Sequence, residues 1–388
     1  YYKHSRQLKK FKYIRTAKLV CMSNKKKNNN PSQKPFDFYA GNLHLILIFL
    51  VSFIFYGNSL SNETALDDVM VLTNNQFVLK GISGIPDIIS HESFFGATGK
   101  ITAALSWRYR PLSLLLFAFE HEFFGNSWTA YHFFNVFFYT VLCMVIYNFF
   151  RRHIFKSNSH YALTAALLFS IHPMHTEVVA NIKSLDEILA LLFSVLFIDS
   201  LLKQSSSKSK LEIFKSLLYL LLALMSKESS TLLLALAPIA LYVFNRDTIK
   251  KTIIQSIPAF VLIALYTLFR LSISEMPVGK TDIMNDPYLY ATIEQKYATI
   301  LLILGKYLSL LILPLTQCID YGYNQIPYVE LSNSNTLISL VVYVGLLIIG
   351  IYSIIKRQPI GFFVISYLLS IVLLSNALVN VGPPMADR

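Results

Sequence analysis

The strongest constraint on the fold is a charged segment between two apolar runs, within residues 161–202. The first run reads YALTAALLFSI, the second reads ILALLFSVLFIDSLL, and HPMHTEVVANIKSLDE lies between them. A membrane-spanning helix needs ~20 largely apolar residues, so each run reaches that length only by sharing part of the insert. Ionisable groups at that depth are costly and usually face a pocket or a partner. We therefore predict a helical hairpin with a polar site at its apex; the alternative is an ordinary polar turn.

The remaining chain has the composition of an all-α polytopic membrane protein. Of its 388 residues, 54% are hydrophobic and 14% are charged, whereas soluble domains carry about 25% charged residues. The apolar stretches are long and continuous, which favours helices over the short alternating segments of a β-barrel. We predict a bundle of about 9–10 spans, each of roughly membrane-crossing length.

Positive charge is concentrated at the start of the chain. Residues 1–42 hold eleven Lys and Arg against one acid, Asp37. Flanking positive charge retains a terminus in the cytoplasm, so we read 1–41 as a basic cytoplasmic segment with no nucleic-acid partner. Met22 resembles a natural start, and we expect residues 1–21 not to be native. The apolar run that follows is too long for a cleavable signal peptide.

The charged loops define an expected topology for the membrane domain, 42–388. The short loops rich in Lys and Arg all fall on one side of the expected membrane, which is the cytoplasmic side. The segment 61–127, the insert and the tip Ser226-Lys227-Glu228 therefore lie together on the outer side. The segment 61–127 mixes apolar and polar residues and suits amphipathic helices in the interface. We therefore predict that this long first extracytoplasmic loop contributes to the same site as the insert.

Two adjacent carboxylates, Asp67 and Asp68, follow the first span within that loop. A carboxylate just outside the membrane can act as a general base when the proton donor approaches within ~3 Å. Adjacent acids are also common in ordinary loops. They are our candidate catalytic residues, and the sequence leaves open which of them is the base.

Basic and polar side chains on the same expected face are candidates for binding an anion or a sugar. A guanidinium suits a phosphate oxyanion, although an arginine beside a membrane also snorkels to lipid headgroups. HxxH followed by Glu can suggest a metal, but the zincin spacing is absent and we predict no metal. The candidates are Arg108, Arg110, His132, His172, His175, Glu177, Lys183, Lys227 and Glu228, followed by Asp320, Tyr321 and Arg388.

Several motifs in one order resemble the transmembrane-and-tetratricopeptide-repeat (TMTC) glycosyltransferases, especially bacterial relatives. They are LDDVMVLTNN, WRYRPLSLLLF, YHFFNVFFY, FSIHPMHTEVVANIKSLDEILALLF, LMSKESSTLLLALAPIALYVF, CIDYGYNQIP and VGPPMADR. The resemblance covers roughly residues 40–388 and implies a GT-C-type bundle related to the protein O-mannosyltransferases. It also implies tetratricopeptide repeats after the membrane part, which we expect to be missing here.

The resemblance further implies a reaction. The donor would be a polyprenyl- or dolichyl-phosphate-linked sugar and the acceptor a hydroxyl, on protein Ser or Thr, with an Asp of the first outer loop as base. No cofactor is required. The location implied is a bacterial inner membrane, with the site on the periplasmic face. Ser184-Leu185 stands where the family usually has Gly-Arg, which predicts weaker donor binding unless Lys183 substitutes.

Sugar transfer with inversion is thus the function that we predict. The leaving phosphate is already an anion, so the site needs positive charge to hold it rather than a general acid. One alternative is a lipid or solute transporter, which would place ionisable residues near mid-span. Another is a non-catalytic membrane scaffold for C-terminal repeats, which the loss of Gly-Arg favours.

Overall fold

The structure is a computed structural model of the 388-residue chain. It describes residues 34–99, 108–207, 209–273, 286–315, 318, 321, 324–378 and 382–385. Asp320 and Arg388, two of the candidate residues, lie outside the described residues. The chain divides into two compact units, Tyr1–Leu47 and Ile48–Arg388, and the site described below lies within the second.

The described residues form α-helices joined by turns and short 3-10 helices, with no strand among them. The 3-10 helices are Gly57–Ser61, Val78–Gly84, Pro173–His175, Ile182–Ser184 and Glu228–Leu232. The α-helices are α1 (Lys34–Tyr56), α2 (Asp68–Val71), α3 (Ile85–Ser90), α4 (Phe95–Thr98), α5 (Pro111–Phe124), α6 (Trp128–His153), α7 (Ser159–Ser170), α8 (Thr176–Ala180), α9 (Leu185–Ser207), α10 (Lys210–Ser226), α11 (Leu233–Phe244), α12 (Ile249–Ile273), α13 (Ile293–Ile312), α14 (Ser334–Ile355) and α15 (Pro359–Leu374).

Five of the described helical stretches are long and apolar enough to cross a membrane. They are Gly41–Ser61, Trp128–His153, Ile249–Ile273, Ile293–Ile312 and Ser334–Ile355. Helix α15 and the stretch Glu228–Phe244 are apolar but shorter. Large apolar side chains are exposed on these helices, as at Leu265 and Val341, and this is expected of positions that face lipid. The prediction of an all-α polytopic membrane protein is confirmed.

Small residues let two of the apolar helices approach closely. A Cβ placed on Gly305 of α13 would collide with the Ser339 hydroxyl of α14. Contacts of this kind are typical of helices packed within a membrane, where small side chains allow close backbone approach. Helices α13 and α14 therefore pack closely against each other at Gly305 and Ser339.

The first loop folds onto the hairpin through an apolar core. Phe94 and Leu114 of the loop and Tyr131 of α6 are buried together with Ile182 and Leu185 of the insert. The prediction of helices within 61–127 agrees with α2 to α5, which are short elements separated by turns. Burial of these aromatic and aliphatic side chains fixes the loop against the start of α9. The polar residues beside this core are thereby held in place.

Candidate active site

The carboxylate of Asp68 is completely buried and binds backbone rather than solvent. One of its oxygens accepts from Ala65 N at 2.9 Å, and the other accepts from Lys183 N at 2.8 Å. Burial raises the pKa of Asp68, and these two hydrogen bonds partly offset that rise. Asp68 therefore joins the first loop to the insert across 115 residues of sequence.

Asp67 immediately precedes α2 and is half-buried, in contrast to its neighbour. Its side chain makes no capping hydrogen bond to the helix. Since a general base must reach the proton that it removes, the exposure of the Asp67 side chain suits that role better than the enclosed position of Asp68. The adjacent pair thus divides into a half-buried carboxylate and a fully buried one.

Arg110 lies at the centre of a cluster of ion pairs from three parts of the chain. Its Nη1 donates to Asp186 Oδ2 at 2.8 Å. Its Nε and Nη2 donate to Glu228 Oε2 and Oε1 at 2.9 and 2.5 Å. The Arg110 side chain is 11% exposed and that of Asp186 is 2% exposed. Because these charges are buried, each depends on its partners for stability.

Two lysines complete the cluster. Lys183 Nζ lies 3.6 Å from Asp186 Oδ2, and Lys227 forms an ion pair with Glu187. Burial lowers the pKa of Lys227 to about 7, and the charge of Arg110 acts in the same direction. The carboxylates of Asp186 and Glu228 act in the opposite direction and raise the pKa of Lys227. The cluster therefore brings together three cations and three carboxylates at the adjoining ends of α9 and α10.

A narrow cleft opens beside Arg110. Its free volume is about 10 Å³, close to what one water molecule requires. The cleft is closed to a sugar phosphate in this conformation, so such a ligand would have to widen it. The lining residues are Val71, Ser93, Phe94, Arg108, Arg110, Ser113, Leu114, Lys183 and Asp186.

His132 and Asn135 are fully buried on α6. Both side chains contact backbone carbonyl groups of neighbouring segments. Asn135 Nδ2 donates to the carbonyls of Asn181 and Ile182 at 2.8 and 3.2 Å. His132 Nε2 lies 3.4 Å from the Glu63 carbonyl. These contacts position the loop on one side and the insert on the other. The contact of His132 with a donor stays a prediction.

His172 and His175 lie at the apex of the hairpin, next to the aromatic side chains of α6. His172 Nε2 is 3.0 Å from the Leu311 carbonyl, and His175 Nδ1 is 2.8 Å from the Tyr139 hydroxyl. Burial lowers the pKa of His175 to about 4, with the charge of His172 adding to the effect. His175 is thus neutral near pH 7. Glu177 follows at the start of α8 and is half-buried.

The low pKa of His175 predicts an acid-sensitive fold. The unfolded histidine has a pKa near ~6.5, so the unfolded state binds more protons between that value and about 4. Stability is therefore complete above pH ~6.5 and is lost as the pH falls toward the folded pKa. We expect the melting temperature in detergent to drop over this range in the wild type and to drop less in His175→Gln. Equal slopes in both proteins would contradict this assignment.

The remaining candidates lie around the cluster rather than in it. Arg108 is half-buried and stacks over Phe94, with 5.5 Å between its guanidinium carbon and the ring centroid. Tyr321 packs against an apolar cluster that also contacts Met174 of the insert. Arg270, in the last turn of α12, interacts electrostatically with Glu228. We did not predict Arg270, because a basic residue at the end of an apolar span is normally an interfacial anchor.

The two residues at which the resemblance leads us to expect Gly-Arg face the core. Ser184 and Leu185 are both fully buried, and Leu185 belongs to the apolar core between the loop and the hairpin. The guanidinium of this site comes instead from Arg110, 76 residues earlier in the chain than its partner Asp186. Position 185 is therefore a packing position in this protein.

Restoring an arginine at this position should harm the fold. Leu185→Arg would bury a charge among apolar side chains, which costs several kcal/mol unless it is paired. We expect a lower melting temperature in detergent and no gain in donor binding, whereas the volume-conserving Leu185→Met should remain close to wild type. A stable Leu185→Arg protein that binds donor more tightly would show that position 185 belongs to the site.

Among the described residues, no group of three or more His, Cys, Asp or Glu side chains is arranged to hold a metal ion. Cys143, one of the described cysteines, is a buried free thiol. The described cluster carries positive charge on the side chains of Arg110, Lys183 and Lys227. These features define a multi-pass α-helical membrane protein with a buried charged cluster where its first loop meets the helix ends.

Comparison with known proteins supports the resemblance drawn from the motifs. A protein named "Protein O-mannosyl-transferase F38B6.6" from Caenorhabditis elegans is 25% identical over 357 residues, which are 89% of this chain and 49% of that protein. "Protein O-mannosyl-transferase TMTC1" from Homo sapiens is 33% identical over 144 residues, 37% of this chain and 16% of that protein. "Protein O-mannosyl-transferase TMTC2" from Homo sapiens is 30% identical over 155 residues, 39% and 18% respectively.

The chain is thus similar in sequence to proteins named protein O-mannosyl-transferase. It spans about half the length of the nematode relative, and its matches to the two human proteins cover less than a fifth of each. A scan against family models finds no match, and no solved structure matches either.

Proposed function

We propose that this chain forms the membrane part of a glycosyltransferase. It would move a sugar, a mannose-like hexose, from a polyprenyl-phosphate donor to a hydroxyl acceptor on protein Ser or Thr. The relatives named above are protein O-mannosyl-transferases, and this supports the reaction class. The observation that carries the proposal is the joining of the Asp67-Asp68 turn to a buried cluster of cations by the hydrogen bond from Lys183 N to Asp68.

The proposed chemistry uses a half-buried carboxylate and fixed positive charge. Asp67 takes the proton of the acceptor hydroxyl as its oxygen attacks the anomeric carbon, and the bond from that carbon to the phosphate oxygen breaks. Attack opposite the leaving group inverts the anomeric configuration. The phosphate leaves as an anion, which Arg110, Lys183 and Lys227 stabilise electrostatically. No step in this mechanism requires a cofactor.

Positioning makes the second contribution in this proposal. The apolar helices would hold the prenyl tail, so the sugar phosphate would stay at the height of the carboxylate. Holding two reactants in register removes much of the entropic barrier to their reaction. Asp68, His132 and Asn135 act as positioning residues because they fix the loop and the insert relative to each other. The face we propose is extracytoplasmic, and the membrane a bacterial inner membrane with the site on its periplasmic side.

The test is a transfer assay on the full chain in detergent or nanodiscs. Radiolabelled polyprenyl-phosphate sugars are offered one at a time with a mixture of Ser- and Thr-containing peptides. We expect label on peptide from a hexose donor, with inverted anomeric configuration in the product. Absence of transfer from every donor, in a protein that binds polyprenyl phosphate, would contradict the proposed enzyme activity. The non-catalytic membrane scaffold would then be the leading alternative.

A further inference from the structure

We propose that Glu228 occupies the place on Arg110 that a donor phosphate takes, and that the arriving phosphate displaces it. This inference rests on the proposed function, and it assigns different roles to the two carboxylates around Arg110. Asp186 is a positioning residue that stays in place. Glu228 is an internal occupant that leaves.

The geometry of the Arg110 fork is the first support. Its Nε and Nη2 face Glu228 with one hydrogen bond to each carboxylate oxygen, at 2.9 and 2.5 Å. Two parallel bonds of this kind are how arginine recognises either a carboxylate or a phosphate. Its Nη1 is held separately by Asp186. The edge that would bind a phosphate is therefore present but filled.

Exposure indicates which carboxylate can move. The Glu228 side chain is 33% exposed, whereas that of Asp186 is 2% exposed. Glu228 begins a short 3-10 helix between α10 and α11, and Asp186 lies in the first turn of α9 beside the buried Leu185. Breaking the Asp186 pair would leave a charge in the interior, which is strongly unfavourable. Glu228 is the partner that can leave at lower cost.

The charges around Arg110 favour an exchange of one anion for another. In the ion pairs, Arg110, Lys183 and Lys227 are matched by Asp186, Glu187 and Glu228. A phosphate that approached the Arg110 fork would be repelled by the Glu228 carboxylate, and this repulsion is relieved when Glu228 moves away. Arg270 and Lys227 both interact electrostatically with Glu228. A displaced Glu228 would therefore remain near positive charge.

The closed cleft lies on the Asp186 side of Arg110, and Glu228 is not one of the residues that line it. Its free volume is about 10 Å³, so ligand entry needs a side chain or a segment to move. Withdrawal of Glu228 from Arg110 frees the edge of the guanidinium that the phosphate needs. The substrate-free protein would thus be held in a state of low affinity by one of its own acids.

The test measures binding without chemistry. Radiolabelled polyprenyl phosphate, which carries no sugar, is titrated onto the full chain in nanodiscs. If Glu228 is bound to Arg110 in about nine-tenths of the molecules, only about one-tenth can bind phosphate, so removing Glu228 raises the apparent affinity for polyprenyl phosphate roughly tenfold. We therefore expect Glu228→Gln to bind about tenfold more tightly than wild type. Asp186→Asn should bind less tightly, because Arg110 loses the partner that orients it.

Two further variants control for charge and for folding. Asp87 forms a solvent-exposed ion pair with Lys80 in the first loop, which also contains Arg110. Asp87→Asn removes this negative charge and should leave the affinity for polyprenyl phosphate unchanged. Glu228→Asp keeps the charge but is one methylene shorter, so it should bind phosphate more tightly than wild type even if Glu228→Gln folds poorly. Melting temperatures are recorded for all variants.

The outcomes separate the two proposals. Equal or weaker binding by both folded Glu228 variants, with wild type binding normally, overturns this inference alone. An equal gain in Asp87→Asn would also overturn it, because the gain would then be one of net charge. No binding by any protein removes both the inference and the proposed donor. Tighter binding by the Glu228 variants without sugar transfer supports the inference and counts against the enzyme.

Discussion

Replacing Asp67 by Asn should abolish sugar transfer while donor binding stays within about twofold of wild type. Loss of a general base costs roughly 10²–10⁴ in rate, because the acceptor hydroxyl then keeps its proton during attack. The Asp67 side chain is half-buried, and the melting temperature of the variant shows whether its loss affects folding. Single-turnover transfer and binding of polyprenyl phosphate, measured on the same preparation, separate the chemical effect from the binding effect.

Asp68→Asn is the matched comparison, since it makes the same chemical change one residue along the chain. Asp68 is fully buried and accepts two backbone hydrogen bonds. An amide can accept only with its oxygen, so one buried backbone N–H loses its partner, at a cost of about 1–3 kcal/mol. We expect a lower melting temperature and partial activity. Transfer lost in Asp68→Asn but retained in Asp67→Asn would reverse the two roles.

Replacing Arg110 by Gln should give the largest combined loss of stability and donor binding. Asp186 and Glu228 would both lose their guanidinium partner, and breaking a buried ion pair costs about 3–5 kcal/mol. Arg110→Lys keeps the positive charge but loses the forked guanidinium. Compared with Arg110→Gln, it should therefore retain more of the stability but little more of the phosphate affinity. Denaturation in detergent and binding of polyprenyl phosphate measure the two effects.

Arg152→Gln provides the control for removing an arginine. Arg152 also pairs with an acid, Asp199, but its side chain is 45% exposed. Asp199 also accepts from His153 and Lys203, so it keeps two partners, and this variant should lose little stability and no phosphate affinity. Equal losses in the Arg110 and Arg152 variants would show that the Arg110 cluster contributes no more to stability and phosphate binding than the Arg152 pair does.

The charged insert could be predicted because hydrophobic length alone constrains it. Two apolar runs that are too short to span without sharing the residues between them force those residues to the end of a helical hairpin. The structure has this arrangement, with α7 before the insert and α9 after it. The apolar helices could be predicted for the same reason, since each is a local property of about twenty residues.

The pairings within the site could not be predicted from one sequence. Arg110 contacts Asp186 and Glu228, which follow it by 76 and 118 residues, and no local pattern encodes such a distance. His132 and Asn135 share a helical face, as their spacing indicates, but only the fold shows that they bind backbone. Leu185 resembles a lost functional residue in sequence and proves to be part of the core.

A second cluster of ion pairs joins the other ends of α6 and α9. Asp199 accepts from Arg152, His153 and Lys203, at 2.9, 2.8 and 2.5 Å. Asn135 already holds the first end of α6 to the insert, so the two helices are fastened at both ends. Moving one cation to the centre of a bilayer costs at least ~2.5 kcal/mol. Turning this helix pair over in a membrane would carry several cations through the apolar core, and this cost opposes any reversal of its direction.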